Sequence, residues 1–553
     1  MTEKNLLEQF SKLNTNFIVV TGGVCSSIGK GILVSSIGTL LKNCGKNISI
    51  VKMDPYLNVD PGTMSPLVHG EVFVTQDGAE TDMDLGHYER TLGIQLTKES
   101  SVSAGQIFQE VLDKERAGYF LGKCIQLVPH VVDAIKGRIL SLALKTKPDY
   151  LLIEIGGTVG DIEGEVFLEA IRQLRLEVGY DRFLHAHLSY VPYLEWANEF
   201  KTKPTQHSIM FLKKAGIVPD AIFLRVDKDI DVKSLKKLSL MCGVSEDLIF
   251  TVPTRKPVFR LFLELNEQKL AEKIQQKFQI SKIKKANLSC WENLVAKIVK
   301  KKKTLKIGFV AKYVGISDPY ISIIEALNAA ALNCDRDIEI VVLDAEKIEQ
   351  AGSYKKAISL FKGVDGILVP GGFDNRGVEG KIYAARFARE NNLPYFGICL
   401  GMQIMIIEFA RNVLKLKDAN SEEFELSCKN PVIELLEDQT FVTSKGGSMR
   451  LGAFPCHLKS KTKAANAYAV ETVLERHRHR YEFNNKFKKE FENNGMVFSG
   501  IYKNKNLVEI SELKDHKFML GVQFHPEFLS SYLKPHPLFV AFIESMIEKR
   551  AQK

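Results

Sequence analysis

The sequence predicts an α/β fold with two doubly wound domains, and three observations support this prediction. Short, almost wholly apolar β-rich runs recur along the chain and alternate with stretches of helical periodicity. Most of these runs end in glycine, proline or a polar residue, as strands of open parallel sheets do where they meet ligands. A lysine-rich stretch then divides the runs into two series. The length of 553 residues is sufficient for several domains.

Continuous apolar strands, rather than alternating ones, indicate parallel sheets that are covered on both faces. We predict the strands of the first series at residues 17–21, 48–53, 150–155 and 221–226, and a helix at 30–43. The second series has strands at 306–310, 339–343, 366–370 and 395–398. These positions predict an N-terminal extension (1–16), a P-loop-like domain (17–280), a linker (281–304) and a flavodoxin-like domain (305–553).

The bulk composition is typical of a soluble globular protein, with 45% apolar and 25% charged residues. The apolar runs are shorter than the roughly 20 residues of a membrane helix, so we expect no membrane association. The first 16 residues mix acids, amides and lysines, unlike a secretory signal or a transit peptide. Nine scattered cysteines without a Cys-x-x-Cys pair predict a reduced, cytoplasmic location without disulfides or a zinc site.

The net charge of +9 raises the alternative of a nucleic-acid partner. Part of the excess lies in residues 282–306, which hold nine lysines and one acid. We interpret this stretch as a solvated linker, and we predict no nucleic-acid partner.

The motif at residues 397–403, Gly-Ile-Cys-Leu-Gly-Met-Gln, has the pattern of a nucleophile elbow with cysteine as the nucleophile. An extended segment precedes it and a helical run follows. Glycines two residues either side of Cys399 permit a sharp strand-to-helix turn. The start of the following helix favours a thiolate. A buried structural thiol is the alternative for Cys399, and we interpret the other cysteines in that way.

The segment His525-Pro526-Glu527 supplies a base and a carboxylate that would orient it. Cys399, His525 and Glu527 are therefore the predicted nucleophile, base and orienting group. Their order resembles that of the triad (class I) glutamine amidotransferases, which release ammonia from glutamine.

Residues 21–31, Thr-Gly-Gly-Val-Cys-Ser-Ser-Ile-Gly-Lys-Gly, link a predicted strand to a predicted helix, the place of a phosphate-binding loop. The fit to the usual P-loop is imperfect, because one residue is extra and Gly31 replaces the Ser/Thr that binds magnesium. A glycine-rich turn without a nucleotide is the alternative. Metal ligands must then lie elsewhere, and we predict Asp84 and Glu154 as oxygen ligands of Mg²⁺.

The chain resembles the CTP synthase family along nearly its whole length. The resemblance lies in residues 21–31, 52–66, 69–74, 77–90, 154–163, 201–207, 370–373, 397–403, 476–482 and 523–527. It implies that ATP phosphorylates O4 of the uracil ring of UTP, and that ammonia from glutamine displaces this phosphate to give CTP. Phosphate is a far better leaving group than a carbonyl oxygen, and its transfer is mostly positioning and charge neutralisation.

The resemblance assigns nucleotide-binding roles residue by residue. For ATP these residues are Ser27, Ile28, Gly29, Lys30, Gly31, Ile32, Lys52 and Asp84, with Mg²⁺ on Asp84 and Glu154. For UTP, and for the product CTP as a feedback inhibitor, they are Ser26, Asp161, Ile162, Glu163, Lys201, Lys203, Gln206 and Lys237. A solvated lysine pair is the alternative for Lys201 and Lys203. Carboxylates at 161 and 163 suit the cytosine amino group, which UTP lacks.

The resemblance also assigns the glutamine site. Backbone N–H groups of Gly372 and Leu400 would form the oxyanion hole. The substrate's amino and carboxylate ends would be held by Leu400, Gly401, Met402, Gln403, Glu423 and Arg480. The family further implies GTP as an allosteric activator and internal passage of ammonia between the sites. It also implies a homotetramer in which Lys237 comes from a neighbouring chain, and filaments in some members.

Three segments depart from the family pattern. Asp374 replaces a usual glycine in the loop after Phe373, which would alter glutamine access or GTP activation. Residues 253–255, where adenine contacts are expected, and 164–166, beside the CTP-recognising acids, also differ. The Arg-His-Arg-His-Arg run at 476–480 is predicted to be an anion-facing loop, with a metal site as the alternative.

Two other functions remain open at this point. The first is an ATP-dependent amidotransferase of the cobyrinic acid amide synthase type, which should lack the 201–207 segment. The second is an assembly protein without turnover, which the retention of the predicted catalytic and phosphate-binding residues disfavours.

Overall fold

The computed structural model describes residues 3–312, 318–373, 375–436 and 449–551. The chain forms two compact units. The first unit contains residues 1–60 and 87–299, and the second contains residues 61–86 and 300–553. Segment 61–86, which lay inside the predicted first domain, thus joins the second unit. The domain boundaries near residues 280 and 305 remain predictions.

The first 300 residues supply both the parallel sheet of the first unit and several short hairpins. Their strands are β1 (Asn16–Gly22), β2 (Ile48–Asp54), β3 (Phe73–Val74), β4 (Glu80–Thr81), β5 (Ser101–Ser103), β6 (Tyr150–Ile155), β7 (Phe183–Tyr190), β8 (Tyr193–Leu194), β9 (Glu199–Phe200), β10 (Ala221–Val226) and β11 (Ile249–Pro253). Their helices are α1 (Glu3–Phe10), α2 (Lys30–Asn43), α3 (Pro66–His69), α4 (Met83–Leu92), α5 (Ala104–Arg116), α6 (Val132–Thr146), α7 (Glu165–Val178), α8 (Lys203–Lys214), α9 (Val232–Cys242), α10 (Arg260–Glu267), α11 (Leu270–Lys277) and α12 (Ser289–Val299).

A seven-stranded parallel sheet forms the core of the first unit, in the order β11-β10-β7-β1-β6-β2-β5. The four predicted strands of this half are confirmed as β1, β2, β6 and β10. Their residues are buried almost throughout, as expected of a sheet with both faces covered. Helix α1 packs on the same core, since the ring of Phe10 lies 5.0 Å from that of Phe17.

The lysine-rich stretch is more ordered than the sequence predicts. It contains α12, whose Trp291 is 2% exposed and packs on the aromatic rings of Phe259 and Phe262. The interpretation of this whole stretch as a solvated linker is therefore wrong for α12. Burial of Trp291 and Leu294 attaches one face of the helix to the first unit, while Lys297 of the same helix is exposed.

The remaining elements belong to the second unit. Its further strands are β12 (Lys303–Ala311), β13 (Arg336–Asp344), β14 (Gly366–Val369), β15 (Tyr395–Ile398), β16 (Ala419–Ser421), β17 (Asn430–Leu435), β18 (Arg450–Leu458), β19 (Thr472–His479), β20 (Tyr481–Phe483), β21 (Met496–Tyr502), β22 (Leu507–Leu513) and β23 (Met519–Val522). Its further helices are α13 (Ile321–Asn333), α14 (Ala345–Gln350), α15 (Tyr354–Ala357), α16 (Val378–Glu390), α17 (Leu400–Asn412), α18 (Lys463–Tyr468), α19 (Lys488–Asn493) and α20 (Pro537–Ala551).

The sheet of the second unit is mixed, in the order β13-β12-β14-β15-β23-β22-β21-β18-β19. Strands β12, β13, β14, β15 and β23 are parallel and include the four predicted strands. Strands β18, β19, β21 and β22 extend the sheet in antiparallel fashion. The α/β class predicted for both halves is confirmed, with this antiparallel extension as an addition.

Segment 61–86 is held by polar side chains of the second unit. Arg478 Nε donates to Glu80 at 2.8 Å, and an Arg476 guanidinium N–H donates to the Val74 carbonyl at 3.0 Å. Glu71 accepts a hydrogen bond from the Ser322 hydroxyl. These three contacts involve buried carboxylate or carbonyl groups, and buried polar groups of this kind are costly when unpaired. The segment is therefore an integral part of this unit.

Candidate active site

Cys399 occupies a strained strand-to-helix turn between β15 and α17. Its backbone φ is +51°, a left-handed value that a non-glycine side chain rarely adopts. The two flanking glycines are sterically required. A Cβ atom on Gly397 would lie 2.5 Å from the carbonyl carbon of Gly401, and one on Gly401 would lie 2.1 Å from the Val369 oxygen. The turn thus has the geometry of a nucleophile elbow.

His525 lies beside Cys399 and is oriented by Glu527. Its Nδ1 is 2.7 Å from Glu527 Oε1, which leaves the other ring nitrogen for the sulfur. Burial would by itself lower the pKa of His525, but the Glu527 carboxylate and the hydrogen-bonded Cys399 sulfur raise it to about 10. Both neighbours thus favour the charged imidazolium over the neutral ring. This arrangement favours a thiolate–imidazolium pair, the reactive form of a cysteine nucleophile.

Gly371 keeps the space that this histidine needs. A Cβ atom there would lie 2.8 Å from His525 Cε1 and 3.6 Å from the Cys399 Cβ. The glycine before the predicted oxyanion-hole residue Gly372 thus allows the backbone to approach the triad closely.

A cavity of about 250 Å³ opens beside Cys399. Five residues predicted to bind glutamine line it, together with Phe373, His479 and Tyr481: Gly372, Leu400, Gln403, Glu423 and Arg480. The other two predicted residues, Gly401 and Met402, lie in the buried first turn of α17 beneath this lining. The cavity holds one carboxylate and one guanidinium, which suit the amino and carboxylate ends of an amino acid.

The Arg-His-Arg-His-Arg run is a strand, and the prediction of a loop is wrong. Residues up to His479 form the end of β19. Alternation along the strand places His477 and His479 on one face, where they are at most 2% exposed. Sequence reasoning overlooked these two residues as part of the glutamine cavity's surroundings. The period-two alternation of histidine and arginine was the signal that could have revealed them.

The predicted phosphate loop lies at the carboxyl end of β1 and leads into α2, where such loops bind phosphates. Gly29 has a φ of +100° directly before the first helical residue. Lys30 Nζ donates to the Gly157 carbonyl at 2.5 Å, across the loop. A Cβ atom on Gly23 would lie 1.6 Å from the Ser208 hydroxyl, so a glycine is required there by packing.

Two buried histidines lie beneath this loop on β7. The Thr21 hydroxyl is 2.9 Å from His185 Nε2 and 2.9 Å from His187 Nδ1, and His187 Nε2 is 2.7 Å from the Ser208 hydroxyl. Burial lowers the pKa of both histidines to about 3, so both rings are neutral. Because Ser208 is in α8, these bonds connect the phosphate loop to the helix that carries Lys203 and Gln206.

Glu154 and Lys52 lie side by side at the same sheet edge. Glu154 of β6 is in register with Val20 of β1 and with Lys52 of β2. The Glu154 carboxylate is 2% exposed and accepts a hydrogen bond from the Tyr88 hydroxyl. A buried carboxylate beside a phosphate loop is a chemically suitable Mg²⁺ ligand. Asp84 belongs to the second unit, so its convergence with Glu154 remains a prediction.

The residues predicted to bind UTP and CTP belong to the first unit and lie largely at its surface. Ile162 is 82% exposed, and Asp161 and Glu163 are exposed beside it. Lys201 pairs with Glu199 and Gln206 donates to the Thr202 hydroxyl at 3.0 Å. The remaining members of the set are exposed: Ser26, Lys203 and Lys237.

The three segments that depart from the family pattern are placed as follows. Asp374 lies outside the described residues. Residues 164–166 are at the start of α7. In residues 253–255, Thr254 donates to Asp227 at 3.0 Å and Arg255 to Asp229 at 2.9 Å. The adenine contacts expected in this segment remain a prediction.

None of the helices described is long and apolar enough to cross a membrane. The same part of the chain contains no group of three or more histidine, cysteine or acidic side chains arranged to hold a metal.

Comparison with known proteins identifies both halves. The family described as "CTP synthase N-terminus" matches residues 16–280, and "Glutamine amidotransferase class-I" matches residues 316–545. A CTP synthase of Dehalococcoides mccartyi is 49% identical over 531 residues, which cover 96% of this chain and 97% of that protein.

Two further relatives match along almost their whole lengths. A CTP synthase of Bdellovibrio bacteriovorus is 49% identical over 97% of this chain and 100% of its own. A CTP synthase of Bacillus subtilis is 48% identical over 98% of this chain and 100% of its own. With the nucleophile elbow, the triad and the phosphate-loop edge in one chain, these matches show that it belongs to the CTP synthase family.

Proposed function

We propose that this chain makes CTP by amination of UTP at C4, with ATP as the phosphoryl donor and L-glutamine or ammonia as the nitrogen source. The observation that carries the proposal is the assembled Cys399–His525–Glu527 triad in a chain that also has a phosphate-loop edge. The reaction is the last step of de novo pyrimidine nucleotide synthesis. An amidotransferase of the cobyrinic acid amide synthase type is not favoured, because the relatives are CTP synthases over nearly the whole chain.

Glutamine hydrolysis follows from the triad. The Cys399 thiolate attacks the carboxamide carbon, and the oxyanion that forms accepts hydrogen bonds from the N–H groups of Gly372 and Leu400. The His525 imidazolium gives its proton to the departing nitrogen as the C–N bond breaks, and ammonia leaves a glutamyl thioester. The neutral imidazole then activates water, which releases glutamate and restores the thiolate. Glu527 keeps the ring oriented in both steps.

The synthetase half positions two triphosphates. We assign the ATP phosphates to residues 27–32 and to the ammonium groups of Lys30 and Lys52. Asp84 and Glu154 would hold Mg²⁺, which supplies charge neutralisation on the phosphates when bound. ATP phosphorylates O4 of UTP, and ammonia from the glutaminase half attacks C4 and displaces phosphate.

The UTP triphosphate is assigned to five residues with cationic, hydroxyl or amide groups: Ser26, Lys201, Lys203, Gln206 and Lys237. CTP would bind the same triphosphate site as a feedback inhibitor, with Asp161, Ile162 and Glu163 at its base. The carboxylates at 161 and 163 are exposed and available to a ligand's amino group. GTP activation, a cytoplasmic location and a homotetramer complete the proposal.

The test is CTP formation from UTP, ATP and Mg²⁺, measured once with glutamine plus GTP and once with ammonium alone. Activity in both reactions is the expected result. Activity with ammonium alone would place a defect in the glutaminase half. Activity in neither, with folded protein, would overturn the proposal and favour nucleotide-dependent assembly without turnover.

A further inference from the structure

A chain of buried side chains begins at the glutamine cavity and leads away from the triad. His479 lines the cavity, and His477 lies behind it on the same face of β19. The two imidazoles are 2% and 0% exposed. Neither is assigned a step in the reaction described above, although His479 lines the same cavity as the predicted binding residues.

Hydrogen bonds connect the two histidines to the cavity wall. His477 Nδ1 lies 3.1 Å from His479 Nε2, and His479 Nδ1 lies 3.0 Å from the Tyr481 carbonyl oxygen. The same oxygen accepts a second bond at 3.0 Å from the amide nitrogen of Gln403, a predicted glutamine-binding residue. The Tyr481 carbonyl is thus held from two sides, by β19 and by α17.

The chemistry of the groups fixes the direction of every bond. A carbonyl oxygen only accepts, so His479 Nδ1 must carry a hydrogen. Burial lowers the pKa of both histidines well below the usual value, so each ring is neutral. His479 Nε2 is then an acceptor and His477 Nδ1 must donate to it. In this chain of hydrogen bonds, the remaining unshared lone pair lies on His477 Nε2.

That nitrogen faces Glu509, which closes the chain. His477 Nε2 lies 3.3 Å from Glu509 Oε2, while Oε1 accepts from Arg450 at 2.8 Å. Neither of these two buried atoms makes a hydrogen bond with another described residue, and a proton shared between them would satisfy both. Burial raises the pKa of Glu509 to about 7 against the opposing effect of Arg450, so the carboxyl is able to supply that proton.

We propose that His477 and His479 are positioning residues for glutamine: a directed relay from Glu509 that fixes the Tyr481 carbonyl and, through it, Gln403 and the Arg480 backbone. The proposal rests on the proposed glutamine hydrolysis. Gln403 also lies 3.4 Å from the Gln523 amide oxygen, and Gln523 donates to the Cys399 sulfur at 3.7 Å. The relay therefore ends on Gln403 and Cys399, two residues that line the cavity.

The decisive comparison is between His479→Leu and His479→Asn. Leucine removes the donor to the Tyr481 carbonyl, whereas the asparagine amide nitrogen occupies the place of Nδ1 and retains it. We expect leucine to raise the KM for glutamine roughly 10- to 100-fold with a small change in kcat, because a buried acceptor loses its partner. Asparagine should recover most of that loss.

His516→Leu is the matched control. His516 is also buried in the second unit, and its Nε2 lies 3.1 Å from the Ala388 carbonyl, away from the cavity. The His516→Leu variant should lose a similar hydrogen bond and leave the KM for glutamine unchanged. Ammonia-dependent CTP formation, measured in every variant, reports whether the protein is folded.

A second pair of variants tests the far end of the relay without touching the cavity. Glu509→Gln keeps an acceptor for Arg450 and places an N–H donor opposite His477 Nε2, so its KM for glutamine should be close to that of the wild type. Glu509→Leu removes both partners and should raise this KM as His479→Leu does. If the carboxylate acted only through its charge, Glu509→Gln would raise the KM as much as Glu509→Leu.

The outcomes separate the two proposals. A wild-type protein that does not hydrolyse glutamine overturns the proposed function and the relay together. If the wild type hydrolyses glutamine, the relay alone is overturned by an unchanged KM in His479→Leu, or by equal damage in His479→Asn. Equal losses of glutamine- and ammonia-dependent activity in His479→Leu would also overturn it, because they indicate a general structural role.

Discussion

The proposed glutamine site and the proposed UTP-binding surface are built in opposite ways. In the glutamine site, Cys399 and Glu527 are buried, and the His525 side chain is 12% exposed and already hydrogen-bonded to Glu527 within one compact unit. Most residues predicted to bind UTP and CTP are exposed instead, although Lys52 and Glu154 beside them are buried. Lys203, Lys237 and Ile162 all lie at the surface. The first site is preorganised for chemistry. The second presents positive charge to ligands that carry negative charge themselves.

This difference has an energetic reason. A nucleophile and its base must be held in reacting geometry before the substrate arrives, so the chain stores strain at Cys399 and buries Glu527 to hold His525. Triphosphates carry several charges, and lysines that remain solvated meet them without a large desolvation cost. Substitutions in the triad should therefore cost more activity than substitutions of exposed lysines at the UTP-binding surface.

The largest effect is expected for Cys399→Ala. Loss of the nucleophile should lower glutamine-dependent CTP formation roughly 10⁴-fold or more, because the thioester no longer forms. Ammonia-dependent formation should remain within about twofold of the wild type. Cys456→Ala, at another buried cysteine of the same unit, is the control and should retain both activities. Loss of the ammonia reaction in folded Cys399→Ala protein would contradict two separate sites.

Lys30→Ala should follow, with roughly a 10³-fold loss in both reactions. The ammonium group reaches across the loop to the Gly157 carbonyl, a position where it would neutralise charge on a transferring phosphoryl group. Lys42→Ala changes a lysine near the opposite end of α2, which bonds the Leu92 carbonyl, and should preserve kcat. A Lys30→Ala protein that lost only the glutamine reaction would show that the loop does not bind ATP phosphates.

A smaller effect, roughly 10²-fold on glutamine hydrolysis, is expected for Glu527→Gln. Glu527 and Cys399 raise the pKa of His525 to about 10, so activity should fall as the pH rises through that value and the imidazolium loses its proton. Without the carboxylate this pKa falls, and the alkaline limb should move to lower pH. Iodoacetamide alkylation of Cys399 against pH gives the same comparison without substrate. If the alkaline limb of the Glu527→Gln variant did not move, Glu527 would not be the group that orients His525 and raises its pKa.

Much of the glutamine site could be predicted from the sequence because its determinants are local. Two glycines around Cys399 and a carboxylate two residues after His525 encode their own geometry. The prediction for the lysine-rich stretch was wrong for the opposite reason, because its determinants are not local. The burial of Trp291 against Phe259 and Phe262 depends on a partner some 30 residues away, which the lysine count does not reveal.

Polar residues inside strands explain the other differences. β7 was not predicted because His185 and His187 interrupt its apolar run, yet Thr21 and Ser208 satisfy both rings in the core. The same holds for His477 and His479 in β19, whose partners come from distant parts of the chain. Hydrogen-bond partners of this kind become visible only when the strands are assembled.

The smallest effect is expected at the nucleotide surface, for Lys201→Gln. Lys201 is 38% exposed and pairs with Glu199, so an incoming triphosphate exchanges one ionic partner for another and gains only part of a charge interaction. The KM for UTP should rise roughly 5- to 10-fold, less at high salt because exposed charges are screened. Lys228→Gln removes a comparable exposed lysine, which pairs with Glu195 at 2.8 Å, and should leave this KM unchanged. If Lys201→Gln instead abolished both reactions as Lys30→Ala does, the UTP surface would be preorganised like the triad, and the contrast between the two sites would fail.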